Sequence, residues 1–151
     1  MVLTAPTVDS LTVNIAEEIH VRASLDATFA ALLEQLGPSN ETPDGKPLQM
    51  VLEPRPGGRW FRDLGGDDGH FWGHVQAIKR PNLIEITGPL FMSAPVVSNV
   101  QYRLTEVEGG TLIAFRHSAF GFVPDEFRDG MPRGWTNLHK RVRERAEAAR
   151  R

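Results

Sequence analysis

Hydrophobic positions along this chain follow two different rhythms. Toward the C-terminus Phe127, Met131, Trp135, Leu138 and Val142 recur at intervals of four, four, three and four. With 3.6 residues per turn, that spacing keeps all five on one side of a helix. The other side carries Arg128, Arg133, Lys140, Arg141, Arg143, Glu144 and Arg145, which want water. The pattern predicts a long helix over 123–151, and such a helix needs a large apolar surface to lie on.

Upstream the rhythm is two. Leu11, Val13, Ile15, Ile19 and Val21 alternate with Thr12, Asn14, Glu18, His20 and Arg22, interrupted near Ala16 and Glu17. This predicts a first strand over 11–22 with one buried face. Ser24 is placed to cap a helix ahead of Leu25, Asp26 and Ala27, and Phe29, Leu32, Leu33 and Leu36 form its apolar stripe. Gly37-Pro38 stops that helix after about three turns. Residues 38–47, with Pro38, Pro43, Pro47 and Gly45, read as a loop.

A meander follows. Runs at 48–53, 59–64, 70–79, 83–87, 96–106 and 111–120 are separated by turn clusters, of which Gly65-Gly66-Asp67-Asp68-Gly69 is the strongest hairpin signal. A longer excursion from Gly88-Pro89 through Leu90, Phe91, Met92 and Pro95 precedes the last two runs. The expected architecture is α+β, with seven strands, a short helix after the first and a long helix after the last. Short connections imply antiparallel neighbours. The long helix should lie across a curved sheet with a pocket between them.

Composition narrows the function more than the fold. At 151 residues the chain is expected to be one domain, 11–151, behind a loose tail, 1–10. A chain of this length buries roughly 70% of its unfolded surface, enough for a core and a cavity. Hydrophobic residues are 40% and charged residues 24%, an ordinary soluble balance. The net charge of −2 gives no general attraction to nucleic acid or an anionic membrane. Cysteine is absent, which excludes disulfides, thiolate metal sites and cysteine nucleophiles and is compatible with a cytoplasmic location. Met1–Ser10 lacks the features of a signal peptide, and no window approaches eighteen apolar residues.

Candidate chemistry is sparse. His70 and His74, at i and i+4 of one predicted strand, should share a sheet face roughly 13 Å apart, too far to ligate one metal ion. His117 lies in an apolar phase with Ile113, Phe115 and Ala119, so it is a satisfied core histidine or a polar group in the pocket. No carboxylate partner for acid–base work can be named. Aromatic residues concentrate in the strands around Trp60, Trp72, Tyr102 and Phe115 and on the helix at Trp135, which favours a lined cavity. Asn99 and Arg116 are further polar candidates, although Arg116 alternates away from His117. No phosphate-cradling loop or nucleophile elbow is present, so no cofactor is expected. The basic end, Lys140–Arg151, pairs with Glu144 and Glu147 and complements the helix dipole, as a solvated face would.

Several of these residues together resemble a known family. They are Pro56-Gly57-Gly58-Arg59-Trp60, Gly73-His74-Val75 followed by Arg80-Pro81-Asn82-Leu83, Gly109-Gly110-Thr111 leading into Phe115-Arg116-His117-Ser118, and Gly134-Trp135 followed by Leu138. On this order of elements the chain resembles the START-like (SRPBCC, helix-grip) superfamily and, within it, homologues of the activator of the 90-kDa heat-shock protein ATPase. It departs from the pattern at Pro132, which is expected to kink the last helix or mark its start, and in the proline-broken segment after the first helix. The resemblance implies an antiparallel sheet gripping the helix around a cavity for an apolar or amphipathic molecule, and it implies no reaction. The residues assigned to that cavity are Trp60, Trp72, His74, Asn99, Tyr102, Phe115, His117 and Trp135. The expected function is small-molecule binding without catalysis. Two alternatives stand beside it: a cyclase- or hydrolase-like enzyme using the same cavity, and a module acting on a chaperone or regulator, with a protein partner or a second copy of the chain. A polar pair converging in the cavity would favour the enzyme, and a collapsed cavity would favour the partner module.

Overall fold

The computed structural model describes residues 5–149. The expected N-terminal tail falls partly outside this range, as do the last two arginines of the basic end. Of the tail residues described, Asp9 and Ser10 belong to a 3-10 turn, Asp9–Leu11. Arg128 holds this region by donating to the carbonyls of Ser10 and Thr12 at 3.0 and 2.9 Å.

Among the described residues the chain forms seven strands and two α-helices. In order they are β1 (Thr12–Val21), α1 (Leu25–Leu36), β2 (Met50–Leu52), β3 (Arg59–Gly65), β4 (Asp68–Lys79), β5 (Leu83–Gly88), β6 (Val96–Val107), β7 (Gly110–Gly121) and α2 (Asp125–Ala148). All seven strands join one antiparallel sheet in the order β1-β7-β6-β5-β4-β3-β2. Strands β2 to β7 are a meander of short connections, and β1 crosses to pair with β7 at the far edge. The fold is α+β of the helix-grip type.

Local chemistry accounts for the element ends. Ser24 caps α1, its Oγ accepting from the amide of Ala27 at 3.1 Å, and Gly37 ends it. The β3–β4 hairpin turns on Gly66 and Asp67, at φ of 60° and 66°. Two successive left-handed residues make the turn whose twist matches that of paired strands. Pro132 neither starts nor ends α2. The helix begins at Asp125, with Asp125 and Glu126 set against the positive end of its dipole. Among the described residues, no helix is long and apolar enough to cross a membrane.

The core lies between the inner sheet face and the two helices. Ile84, Ile86, Val100, Tyr102, Ile113 and Phe115 from the sheet meet Leu32 and Leu36 of α1 and Met131, Trp135, Leu138 and Val142 of α2.

Two irregularities in β4 decide what faces inward. Trp60 pairs with Gly73 but Phe61 pairs with Phe71, so Trp72 is an extra residue on β4. Val75 pairs with Ile86 but Ala77 pairs with Glu85, so Gln76 is another. Each is a β-bulge, and each reverses the phase of the alternation beyond it. Trp72 and Gly73 are consequently both buried. The inward glycine is required here, since a Cβ on Gly73 would sit 2.7 Å from the carbonyl oxygen of Thr87.

Candidate functional site

A cavity of about 520 Å³ lies between α2 and the β3–β4 end of the sheet. Sheet strands supply Trp60, Arg62, His70 and Trp72, and the excursion before β6 supplies Phe91. The helix supplies Phe127, Met131, Trp135 and Leu138. Gly130 and Gly134 also line it, and a Cβ added at either would meet nothing within 4 Å, so the helix leaves room there. The remaining wall is the proline-rich loop after α1, at Asn40–Pro43. Arg141 of α2 ties that wall down. Its guanidinium is 3.1 Å from Glu41 Oε1 and donates to the carbonyls of Thr42 and Pro43 at 3.3 and 3.5 Å.

Aromatic rings run continuously around the cavity. Trp60 meets Trp72 edge-on at 5.0 Å, and Trp72 meets Phe91 at 5.7 Å. Phe91 in turn approaches Phe127 at 5.4 Å and Trp135 at 6.1 Å. All three indole N–H groups are already used. Trp60 donates to the carbonyl of Leu36 at 2.8 Å, Trp72 to His70 Nδ1 at 3.2 Å and Trp135 to His117 Nδ1 at 3.0 Å. The tryptophans therefore offer apolar surface and no free donor.

Two cavity polar groups sit opposite each other. Arg62 on β3 and His70 on β4 are register partners. Opposed residues of an antiparallel pair hold their Cβ atoms about 5 Å apart. Arg62 donates through Nε to the carbonyl of Leu48 at 3.1 Å, and neither of its terminal amino groups has an acceptor among the described residues. Because His70 Nδ1 accepts from Trp72, its ring hydrogen is on Nε2.

Beneath the cavity, two histidine chains fasten α2 to the sheet. In the first, Trp135 donates to His117 Nδ1, which leaves Nε2–H to donate to Ser98 Oγ at 2.9 Å. Burial pulls His117 down to about 4, so it is neutral near pH 7. In the second, His139 Nδ1–H donates to Glu17 Oε1 at 2.8 Å, and Nε2 accepts from the Tyr102 hydroxyl at 2.9 Å. The other Glu17 oxygen accepts from Thr136 at 2.6 Å. Burial lowers the pKa of His139 against the opposing pull of Glu17. Burial, and then the Glu17 charge, raise Tyr102 well above its ordinary value. His139 is also packed against Phe115 at 4.4 Å and stacked with Trp135.

The residues assigned from sequence thus separate into three groups. Trp60, Trp72 and Trp135 line the cavity. Tyr102, Phe115 and His117 face the same side of the sheet but lie in the packed layer below, outside the lining, with both His117 nitrogens engaged. His74 and Asn99 must be corrected, because both lie on the opposite face. His74 is exposed against Phe71 at 4.8 Å, turned outward by the bulge at Trp72. That bulge also overturns the expectation that His70 and His74 share a face. Asn99 donates to Thr87 at 3.3 Å, one residue out of phase with Ser98 and Val100.

The sequence pattern does not single out Arg62, Glu17 or His139, and it assigns His70 no place in the cavity. Glu17 had a signal, since it stands in phase with Val13, Ile15, Ile19 and Val21. His139 had one as well, lying four residues after Trp135 on the buried stripe. Among the described residues no group of three or more His, Asp or Glu comes together as a metal site.

Solved structures share this fold. A di-domain ARO/CYC protein from the steffimycin biosynthetic pathway aligns with a TM-score of 0.67 at 13% identity, over 94% of this chain and 53% of that one. This chain therefore spans about half of that protein's length. A protein from Rhizobium leguminosarum aligns at 0.69 with 19% identity, covering 91% and 95% of the two chains. One from Mesorhizobium loti aligns at 0.65 with 20% identity, covering 89% and 97%. At such identities the likeness is one of fold. No curated protein matches the chain in sequence. The family described as "Activator of Hsp90 ATPase homolog 1-like protein" matches residues 28–147, and the chain belongs to that family, within the START-like superfamily.

Proposed function

We propose that this domain binds an apolar or amphipathic small molecule in the cavity between α2 and the sheet, without transforming it. The supporting observation is the cavity itself, open at 520 Å³ and walled by aromatic rings whose polar atoms are satisfied within the protein. A ligand burying about 300 Å² of apolar surface there would gain roughly 7 kcal/mol at 25 cal/mol per Å². The loss of translational and rotational freedom offsets much of that. Micromolar affinity requires about 8 kcal/mol net, so polar contacts must add to the area term.

An enzyme in the same cavity would need a group that takes up a proton. The Arg62–His70 pair supplies donors, since a guanidinium cannot act as a base and His70 Nδ1 is engaged by Trp72. Of the carboxylates at the cavity, Glu41 is held by Arg141, and Glu126 is exposed in the first turn of α2. The histidine chains of Glu17, His139 and Tyr102 and of His117 lie outside the lining. A partner-binding module would be expected to have a collapsed cavity, and this one is open. The chain's lack of cysteine suits a reducing cytoplasm.

The test is native mass spectrometry of protein purified from its own cells, paired with titration of the neutral fluorophore N-phenyl-1-naphthylamine. A retained mass, and fluorophore binding lost in Gly134→Leu, would support the reading. That substitution places a side chain in the open space beside the helix. Absence of both a retained mass and fluorophore binding would refute it.

A further inference from the structure

The cavity's polar side has a chemistry of its own, and it rests on the binding role proposed above. Once the indole N–H groups are taken, the donors left near the β3–β4 hairpin are the two terminal amino groups of Arg62 and Nε2–H of His70. Their placement is fixed by the fold. The two residues are opposed across the hairpin, between two register shifts, and each is half-buried. Each is also held from behind, Arg62 through its Nε on the Leu48 carbonyl and His70 through its Nδ1 on the Trp72 indole. With Nε occupied, the guanidinium presents its Nη1/Nη2 end, one of the edges that matches the two oxygens of a carboxylate.

On the cavity wall Glu41 is engaged with Arg141, and beside Arg62 on β3 the Asp63 carboxylate accepts from the amide of Gly65 at 2.9 Å. No carboxylate among the described residues reaches Arg62. A half-buried guanidinium beside an apolar cavity, tethered but lacking a counter-ion, is suited to an anion brought by the ligand.

We propose that the ligand is an amphipathic carboxylic acid, its apolar body against Trp60, Trp72 and Phe91 and its carboxylate accepting from Arg62 Nη1 and Nη2 and from His70 Nε2. The alternative sign of charge has one candidate, the exposed Glu126 at the start of α2, which would favour an amine.

Calorimetric titration of three ligands with one ring system tests this: 2-naphthoate, 2-naphthylmethanol and 2-naphthylmethylamine. Wild-type protein should bind the acid at least about tenfold more tightly than the alcohol or the amine, a difference of about 1.4 kcal/mol. In Arg62→Met, which keeps an apolar stem, that preference should fall to near unity, chiefly through lost affinity for the acid. In Arg62→Lys, which keeps the charge but loses the fork, it should fall at least about threefold. The lysine variant carries the test if the methionine variant does not fold. Equal affinities for acid and alcohol in wild type, a preference for the amine, or an acid preference that survives both substitutions would overturn the headgroup assignment and leave the cavity reading standing. If none of the three ligands binds wild type the headgroup assignment falls, and the cavity reading falls with it only if the fluorophore and a retained mass are absent too.

Discussion

Acid should loosen the attachment of α2 to the sheet through His117, by an amount that can be worked out. The ring is fully buried and neutral, accepting from the Trp135 indole and donating to Ser98. A proton added at Nδ1 would face the Trp135 N–H and leave two donors pointed at each other, in a place where burial already penalises the charge. The folded-state pKa is lowered from 6.5 to about 4, which at 1.36 kcal/mol per unit corresponds to roughly 3.4 kcal/mol. The sign follows from the direction of that shift. Above pH 6.5 both folded and unfolded states are neutral at this site and the contribution is complete. As pH falls from 6.5 toward 4 the unfolded chain takes up the proton first, and stability declines until the folded state protonates too. Between about pH 7.5 and 4.5 the loss should be roughly 2.5 kcal/mol. The assay is urea unfolding of wild type and His117→Phe at both pH values. At neutral pH the variant should be less stable by about 1–3 kcal/mol, because Trp135 and Ser98 lose their partner. At the acidic pH that deficit should shrink by roughly 2.5 kcal/mol, since only wild type carries the titrating ring. Every other ionisable group is common to the two proteins and cancels in the comparison. A deficit that is the same at both pH values would refute the account of His117.

Three further outcomes are expected. Trp135→Ala should cost about 3–5 kcal/mol in denaturant unfolding, because it removes a buried ring and leaves a hole against Phe115 and Phe91. Glu17→Gln removes the group that holds the His139 pKa up, so that pKa should fall further in an NMR titration of the ring, and an unchanged value would show that the pair is not coupled. Gly88→Ala would place a Cβ 2.3 Å from the carbonyl oxygen of Trp72 and 2.5 Å from the Cα of Gly73. It should lower the melting temperature sharply and broaden the amide resonances of β4 around Trp72, and a variant as stable as wild type would contradict the packing of the two strands.

The parts of the fold that were legible in the sequence are those where period and side-chain chemistry agree. The stripe from Phe127 to Val142, the cap at Ser24 and the glycine-rich hairpin each express a local preference that the tertiary structure keeps. Legibility failed where the chain changes phase. Counting by twos along β4 puts His70 and His74 together, and the extra residue at Trp72 separates them. A bulge has no pattern of its own in a run such as Phe71-Trp72-Gly73, apart from a glycine that can turn inward. The candidate site was half legible. Tryptophans announce apolar walls by their type, whereas Arg62 reads as an ordinary strand-surface arginine until the loop after α1 folds over it. His117 does share the inward phase of Ile113, Phe115 and Ala119 but is sealed by its own partners, and Asn99, the further polar candidate, is one register step out of phase. Glu17, where the alternation of apolar residues breaks in the sequence, is the inward carboxylate that orients His139.

The pairing of β1 with β7 fixes the order in which the sheet can assemble. Strands β2 to β7 zip through short hairpins, each closing a small loop, whereas β1 must find a partner about 100 residues further along, and contacts that distant slow folding. During synthesis β1 leaves the ribosome about 100 residues ahead of β7. At about 5–20 residues per second, β1 waits roughly 5–20 s with its hydrogen-bonding edge and its apolar row of Val13, Ile15, Ile19 and Val21 unpaired. Glu17, in the middle of that row, interrupts it with a charge, the kind of residue that discourages a waiting strand from joining another chain. The carboxylate that later receives His139 thus also guards the edge of β1 until β7 arrives.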